Sequence, residues 1–166
     1  LMYQLEDGSW TAHDTFRLTG PRHSFSVKRV ETEAEREAAL ANRRDVFIKE
    51  QGIPPHLERD EFDESSTHFV VYDEDTIVAT ARVQALPSDI GIVERVCVIK
   101  EYRGTGLGVL IMKEIEKYAR QVELKRLRLT AQSFAVPFYE KLYYDCVSPE
   151  FMDAGIPMRV MEKSLK

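Results

Sequence analysis

The chain has 166 residues, 23 Lys and Arg against 28 Asp and Glu, and so a formal net charge of −5, with 43% hydrophobic and 31% charged residues. At about 150 residues per domain this length predicts one domain, able to bury roughly 70% of the surface its unfolded chain exposes without a metal or disulfide. The acidic balance excludes a protein built mainly to wrap nucleic acid or lie on an anionic membrane, and no run of 18 apolar residues occurs to span one.

Residues 1–24 carry Gly8, Gly20, Pro21 and the single tryptophan, Trp10, with no sustained period, and read as an extension of uncertain structure ahead of a single domain over 25–166. Leu1 to Asp7 is acidic where a secretory signal is basic, so a cytoplasmic location is the expectation. Phe25 to Val30 alternates as a first strand. Glu31 to Gln51 then reads as helix, with Thr32 and Glu35 as a capping box and Leu40, Phe47 and Ile48 as its apolar stripe, ended by Gly52, Pro54 and Pro55. Residues 58–64 hold five acids and Arg59, the pattern of a solvated acidic loop.

A hairpin follows, His68 to Tyr72 and Ile77 to Val83 about a turn at 73–75. Ile92 to Ile99 is apolar except for Glu94 and Arg95, which suggests a central strand. Beyond glycines 104, 106 and 108 a helix is predicted to about Leu124, with Ile111, Ile115, Tyr118, Ala119 and Val122 on one face. Arg126 to Ala131 is a strand, 135–143 a short helix, and Gly155-Ile156-Pro157 a turn between two closing strands. The order β-α-β-β-β-α-β-α-β-β gives an α/β (α+β) protein with a mixed sheet between helices. Cys97 and Cys146 read as reduced thiols, and four histidines without HxH or HxxxH spacing predict no metal.

Arg103-Gly104-Thr105-Gly106-Leu107-Gly108 lies between the central strand and the long helix. Glycine permits a tight turn and close approach, and the amides and dipole of a helix start attract an anion such as a pyrophosphate. A mononucleotide P-loop needs a Gly-Lys pair, which does not occur here. A dinucleotide fingerprint needs Gly or Ala where Val109 stands, and an acid where the next strand ends in Ala131-Gln132. Residues 95–113 add Arg95, Lys100, Arg103 and Lys113 against Glu101, a local net of +3.

The RxxGxG turn, with Glu94-Arg-Val-Cys-Val98 before it and Ala135-Val-Pro-Phe-Tyr-Glu-Lys-Leu142 after it, resembles the GCN5-related N-acetyltransferases over about Phe25 to Leu165. Val46-Phe-Ile-Lys-Glu-Gln51, Thr80-Ala-Arg82, Ala131-Gln132 and Gly155-Ile-Pro157 are similar to its ElaA-like branch. The resemblance implies a mostly antiparallel central sheet flanked by helices, and acetyl-coenzyme A as cosubstrate. It places the pantetheine arm on the backbone of Val96, Cys97 and Val98 where that strand splays from its neighbour. The pyrophosphate falls on the amides of Arg103, Gly104, Thr105, Gly106, Leu107 and Gly108, and Gln132 stands where many relatives have Asn. It implies a monomer or homodimer. Relatives commonly have Gly where Tyr143 stands, and Met158 replaces the His of ElaA-like sequences.

Moving acetyl from a thioester to an amine needs a base for the amine proton, a donor for the carbonyl oxygen and an acid for the departing thiolate. Glu94 is the candidate base, since carboxylates in apolar surroundings become more basic and it lies two residues from the thioester-binding backbone; an ion pair with Arg82 or Arg95 is the alternative. Tyr139 matches the family's tyrosine facing the coenzyme sulfur and is the candidate acid, with packing against Phe138 as the alternative. The expected acceptor is a small-molecule amine or a peptide N-terminus, drawn by Glu58, Asp60, Glu61, Asp63 and Glu64. A module that binds acetyl-coenzyme A without transfer is the competing reading.

Overall fold

The computed structural model describes residues 25–53, 55–58 and 60–166, so the expected extension over 1–24 lies outside the described residues. Eight strands form one sheet in the order β1-β2-β3-β4-β5-β8-β6, with β7 also paired to β8. They are β1 Phe25–Arg29, β2 Thr67–Asp73, β3 Thr76–Ala85, β4 Ile90–Val98, β5 Arg126–Gln132, β6 Asp145–Cys146, β7 Phe151–Asp153 and β8 Ile156–Ser164. Every pairing is antiparallel except β4 with β5. Among the described residues the α-helices are α1 Glu33–Arg43, α2 Pro55–Glu58, α3 Leu107–Gln121 and α4 Val136–Lys141. Among the described residues no helix is long and apolar enough to cross a membrane.

Helix α1 starts as its sequence dictates: Thr32 accepts from the Glu35 amide, and Glu35 reaches back to the Glu31 amide rather than that of Thr32. From Arg44 to Glu50 the helix widens to π geometry. This extra width brings Val46 and Phe47 together onto the core while Ile48 is only half-buried, a phase that a strict 3.6 period does not give.

Helix α3 buries Ile111, Ile115 and Ala119 as expected, but it ends at Gln121 and leaves Val122 exposed. The tail contains three strands rather than two, because Asp145–Cys146 adds a short rung to β8. The closing turn falls on Ala154 and Gly155, with Ile156 and Pro157 already in β8.

Candidate functional site

Strand β4 serves two neighbours unequally. It pairs with β5 only from Ile90–Arg126 to Val93–Leu129, while its pairing with β3 continues to Val98 and β5 continues along β8 to Gln132. The parting begins at a bulge. Between the pairs Thr80–Cys97 and Arg82–Glu94, residues Arg95 and Val96 face Ala81 alone, and Arg95 takes the left-handed conformation at φ 57°. A bulge bends and twists its strand, which turns the end of β4 away from β5. Val96, Cys97 and Val98 lie on this diverging stretch. Burial, against a smaller opposing effect of the Thr80 hydrogen bond, pushes the Cys97 thiol up to about 12, so it stays protonated at neutral pH.

The glycine turn follows directly. Gly104 and Gly106 take φ of 77° and 83°, and Gly106 caps α3 with no side-chain hydrogen bond to its first amides. Thr105 Oγ1 donates to the Tyr102 carbonyl. The Arg103 side chain does not enter the turn: its Nη2 donates to Glu50 Oε1 and its Nε to the Val98 carbonyl. It thus braces the turn between the π-helical segment and β4. A shallow depression is lined by Val98, Tyr102 and the turn itself. Of the local +3, Arg95 and Arg103 are held by acids, so anion attraction rests chiefly on the amides and helix dipole.

The acidic segment is not a solvated loop. Glu58 is 1% and Asp63 4% exposed. Arg43 Nε donates to Glu58 Oε2 at 2.7 Å and its Nη1 to Asp63 Oδ1. Arg82 forks onto Asp60 at 2.6 and 2.9 Å and also reaches Asp63 at 2.9 Å. Arg95 donates to the Glu58 carbonyl and stands 3.4 Å from Asp60 Oδ2. These acids are therefore matched to three buried guanidiniums, and the expected attraction of an ammonium to Glu58 and Asp63 is overturned. Burial works to raise the Asp63 carboxyl, but the hydrogen bonds and charges of Arg43 and Arg82 outweigh it and hold it at about 2. Arg43 escaped sequence reasoning; its one signal is a cation at spacings of three and four from Leu40 and Phe47, on the buried face.

Glu94 stands at the edge of this network, its Oε1 accepting from Arg82 Nη2 at 3.1 Å and its Oε2 4.0 Å from Arg95 Nη1. Its side chain is 13% exposed. Tyr139 on α4 is fully buried, edge-on to Phe138 at 4.9 Å and to Tyr144 at 5.9 Å between ring centroids. Burial drives its phenol well above the ordinary value. Gln132 closes β5, buried beside the opening and paired with Met158. The structure thus gathers Glu94, Val96 to Val98 and the turn 103–108 along one continuous stretch, with Gln132 on the strand that parts from it.

The profile of the acetyltransferase (GNAT) domain matches residues 29–165. YjcF of Bacillus subtilis, named as an uncharacterised N-acetyltransferase, is 42% identical over 132 residues, covering 79% of this chain and 94% of that protein. The uncharacterised YyaT of the same organism is 39% identical over 144 residues, 85% of this chain and 97% of its own. Among solved structures, Escherichia coli ElaA superposes with a TM-score of 0.77 at 22% identity, over 84% of this chain and 99% of that one. The chain belongs to the GNAT acetyltransferase family.

Proposed function

We propose that this chain moves an acetyl group from acetyl-coenzyme A to a primary amine of a small molecule or peptide. The observation that carries the reading is the parting of β4 from β5 above a helix start opened by Gly104 and Gly106. An extended arm fits the gap, where Val96, Cys97 and Val98 present strand backbone, and a pyrophosphate fits the amides from Arg103 to Gly108. Gln132, at the end of β5 across from this stretch, is the side chain assigned to the arm in this reading.

In this reading the amine nitrogen attacks the thioester carbon. A backbone N–H near Val96 or Val98 stabilises the oxyanion. The C–N bond forms, the C–S bond breaks, and the amine proton passes to Glu94, directly or through water. Tyr139 gives its phenolic proton to the departing thiolate. Its raised pKa keeps that proton in place at neutral pH but makes it a reluctant acid.

The grip of Arg82 on Glu94 and the burial of Tyr139 favour one competing reading, a module that holds acetyl-coenzyme A without transfer. Steady release of coenzyme thiol in a panel of polyamines, aminoglycosides, amino acids and peptides separates the two. Binding without turnover across the panel supports the module. With a turned-over acceptor, Glu94→Gln is expected to lower kcat about 10²-fold or more and remove the acid limb of the pH–rate profile. An unchanged profile takes Glu94 out of the mechanism.

A further inference from the structure

His68, Arg82 and Glu94 share one rung of the sheet, since His68 of β2 pairs with Arg82 of β3 and Arg82 with Glu94 of β4. Cross-strand partners point to the same face, so the guanidinium lies beside the Glu94 carboxylate. Its terminal N–H groups are divided among three acids. Nη1 donates to Asp60 Oδ1 at 2.6 Å and to Asp63 Oδ1 at 2.9 Å. Nη2 donates to Asp60 Oδ2 at 2.9 Å and to Glu94 Oε1 at 3.1 Å. Of the three, only Asp60 takes both nitrogens, the bidentate geometry that fixes a guanidinium plane most firmly. Glu94 receives a single N–H, at the longest distance of the set.

Other charged groups reach this point from each neighbouring element. Arg43 of α1 bonds Glu58 of α2 and shares Asp63 with Arg82, and His68 donates to the Asp63 carbonyl. Arg95 of β4 stands 3.4 Å from Asp60 Oδ2 and 4.0 Å from Glu94 Oε2, while Arg128 of β5 is held by Glu162 at 2.6 Å. Burial works to raise the Asp60 carboxyl, but the hydrogen bonds and charge of Arg82 and the charge of Arg95 outweigh it, so Asp60 is ionised at neutral pH. An ionised Asp60 acts on Glu94 twice in one direction: it draws Arg82 Nη2 to itself, and it sets a second negative charge beside the Glu94 carboxylate. Both favour uptake of a proton by Glu94. We propose that Asp60 is a positioning residue for the transfer: by holding Arg82 through both terminal nitrogens, it confines that cation's grip on Glu94 to one N–H and keeps the carboxylate able to accept the amine proton. The inference rests on the reading of Glu94 as base given above.

Asp60→Asn tests it at one atom. Asp60 Oδ1 also accepts from the Phe62 amide, and asparagine, an equally good cap, keeps an oxygen there for Phe62 and Arg82 Nη1 while its amide nitrogen replaces the oxygen facing Nη2. Arg82 then bears more heavily on Glu94. With a turned-over acceptor, the acid limb of the pH–rate profile is expected to move down by about one pH unit and kcat on the plateau to fall about threefold. A merely structural carboxylate, when lost, lowers Tm and leaves the limb in place. In the protein without acceptor, the NMR resonance of the Glu94 carboxyl carbon, assigned with Glu94→Gln, is expected to titrate about one pH unit lower in Asp60→Asn than in wild type. Asp60→Ser, which keeps the cap and also lacks the second oxygen, is expected to move both readings the same way and carries the test should Asp60→Asn not fold. An unmoved limb and resonance in a folded Asp60 variant, while Glu94→Gln removes the limb, overturn this inference alone. A profile unchanged by Glu94→Gln overturns the base reading and this inference with it.

Discussion

Arg82 is a junction of the candidate site, because one buried guanidinium contacts Asp60, Asp63 and Glu94 together. Its Nε is buried without a hydrogen-bond partner, so the fork is committed wholly to the acids. Removing one partner from such a set leaves uncompensated buried charge. Arg82→Met is expected to cost about 3–5 kcal/mol in urea unfolding, and a loss below about 1 kcal/mol would mean that Asp60, Asp63 and Glu94 are already balanced without it. Sequence reading found Arg82 as part of the Thr80-Ala-Arg82 motif and as a possible partner of Glu94, but not as a partner of Asp60 and Asp63. The run of acids at 58–64 looks solvated along the chain because its cations come from α1, β3 and β4, which no local window contains. The glycines were legible for the opposite reason: a positive φ is a local demand, and Gly104 and Gly106 meet it.

Among the elements, β4 was read correctly as the central strand, since a strand flanked on both sides is apolar almost throughout. Its bulge was not legible, because Arg95 is a residue that sequence statistics do not place at φ 57°. The lower end of the strand depends on Gly91. A Cβ there would lie 2.9 Å from Leu124 and 3.0 Å from Leu127, where β4 and β5 meet. Gly91→Ala is therefore expected to destabilise by about 1–3 kcal/mol through overpacking, seen as a lower Tm. Leu124→Ala in the same chain should restore part of the loss, since it removes the nearest methyl group. The π-helical widening of α1 was also out of reach, because Leu40, Phe47 and Ile48 satisfy an ordinary helical stripe equally well.

At the scale of the whole molecule, the charge of −5 proves to be mixed rather than polarised, with cations folded in beneath the acidic segment. Its pH response follows. Asp63 sits at about 2 in the fold against 3.8 when free, so its contribution is complete above 3.8 and is lost as pH falls toward 2. His68, buried and donating from Nε2 to the Asp63 carbonyl, is lowered from 6.5 chiefly by burial, and its neutral form is lost in the same direction, beginning below 6.5. Cys97 acts at the other end. Its thiol is raised from 9.0 to about 12, so its contribution is complete below 9 and declines as pH rises toward 12. Tm is expected to be flat between about pH 6.5 and 9 and to fall on both sides, most steeply below pH 4. A Tm that holds to pH 3 would show that the buried network contributes no linkage.

The seam between β4 and β5 is four pairs long, and it is the one parallel pairing in a sheet otherwise made of antiparallel neighbours. Residues 25–98 and 126–164 are therefore two antiparallel ribbons, each zipped along its own edges, with a short splice and the helix α3 between them. In the proposed reading, the coenzyme's arm lies where the splice gives out and takes the place of the missing rungs. Occupancy of the cleft in that reading strengthens the joint between the two ribbons, and bound coenzyme is expected to raise Tm.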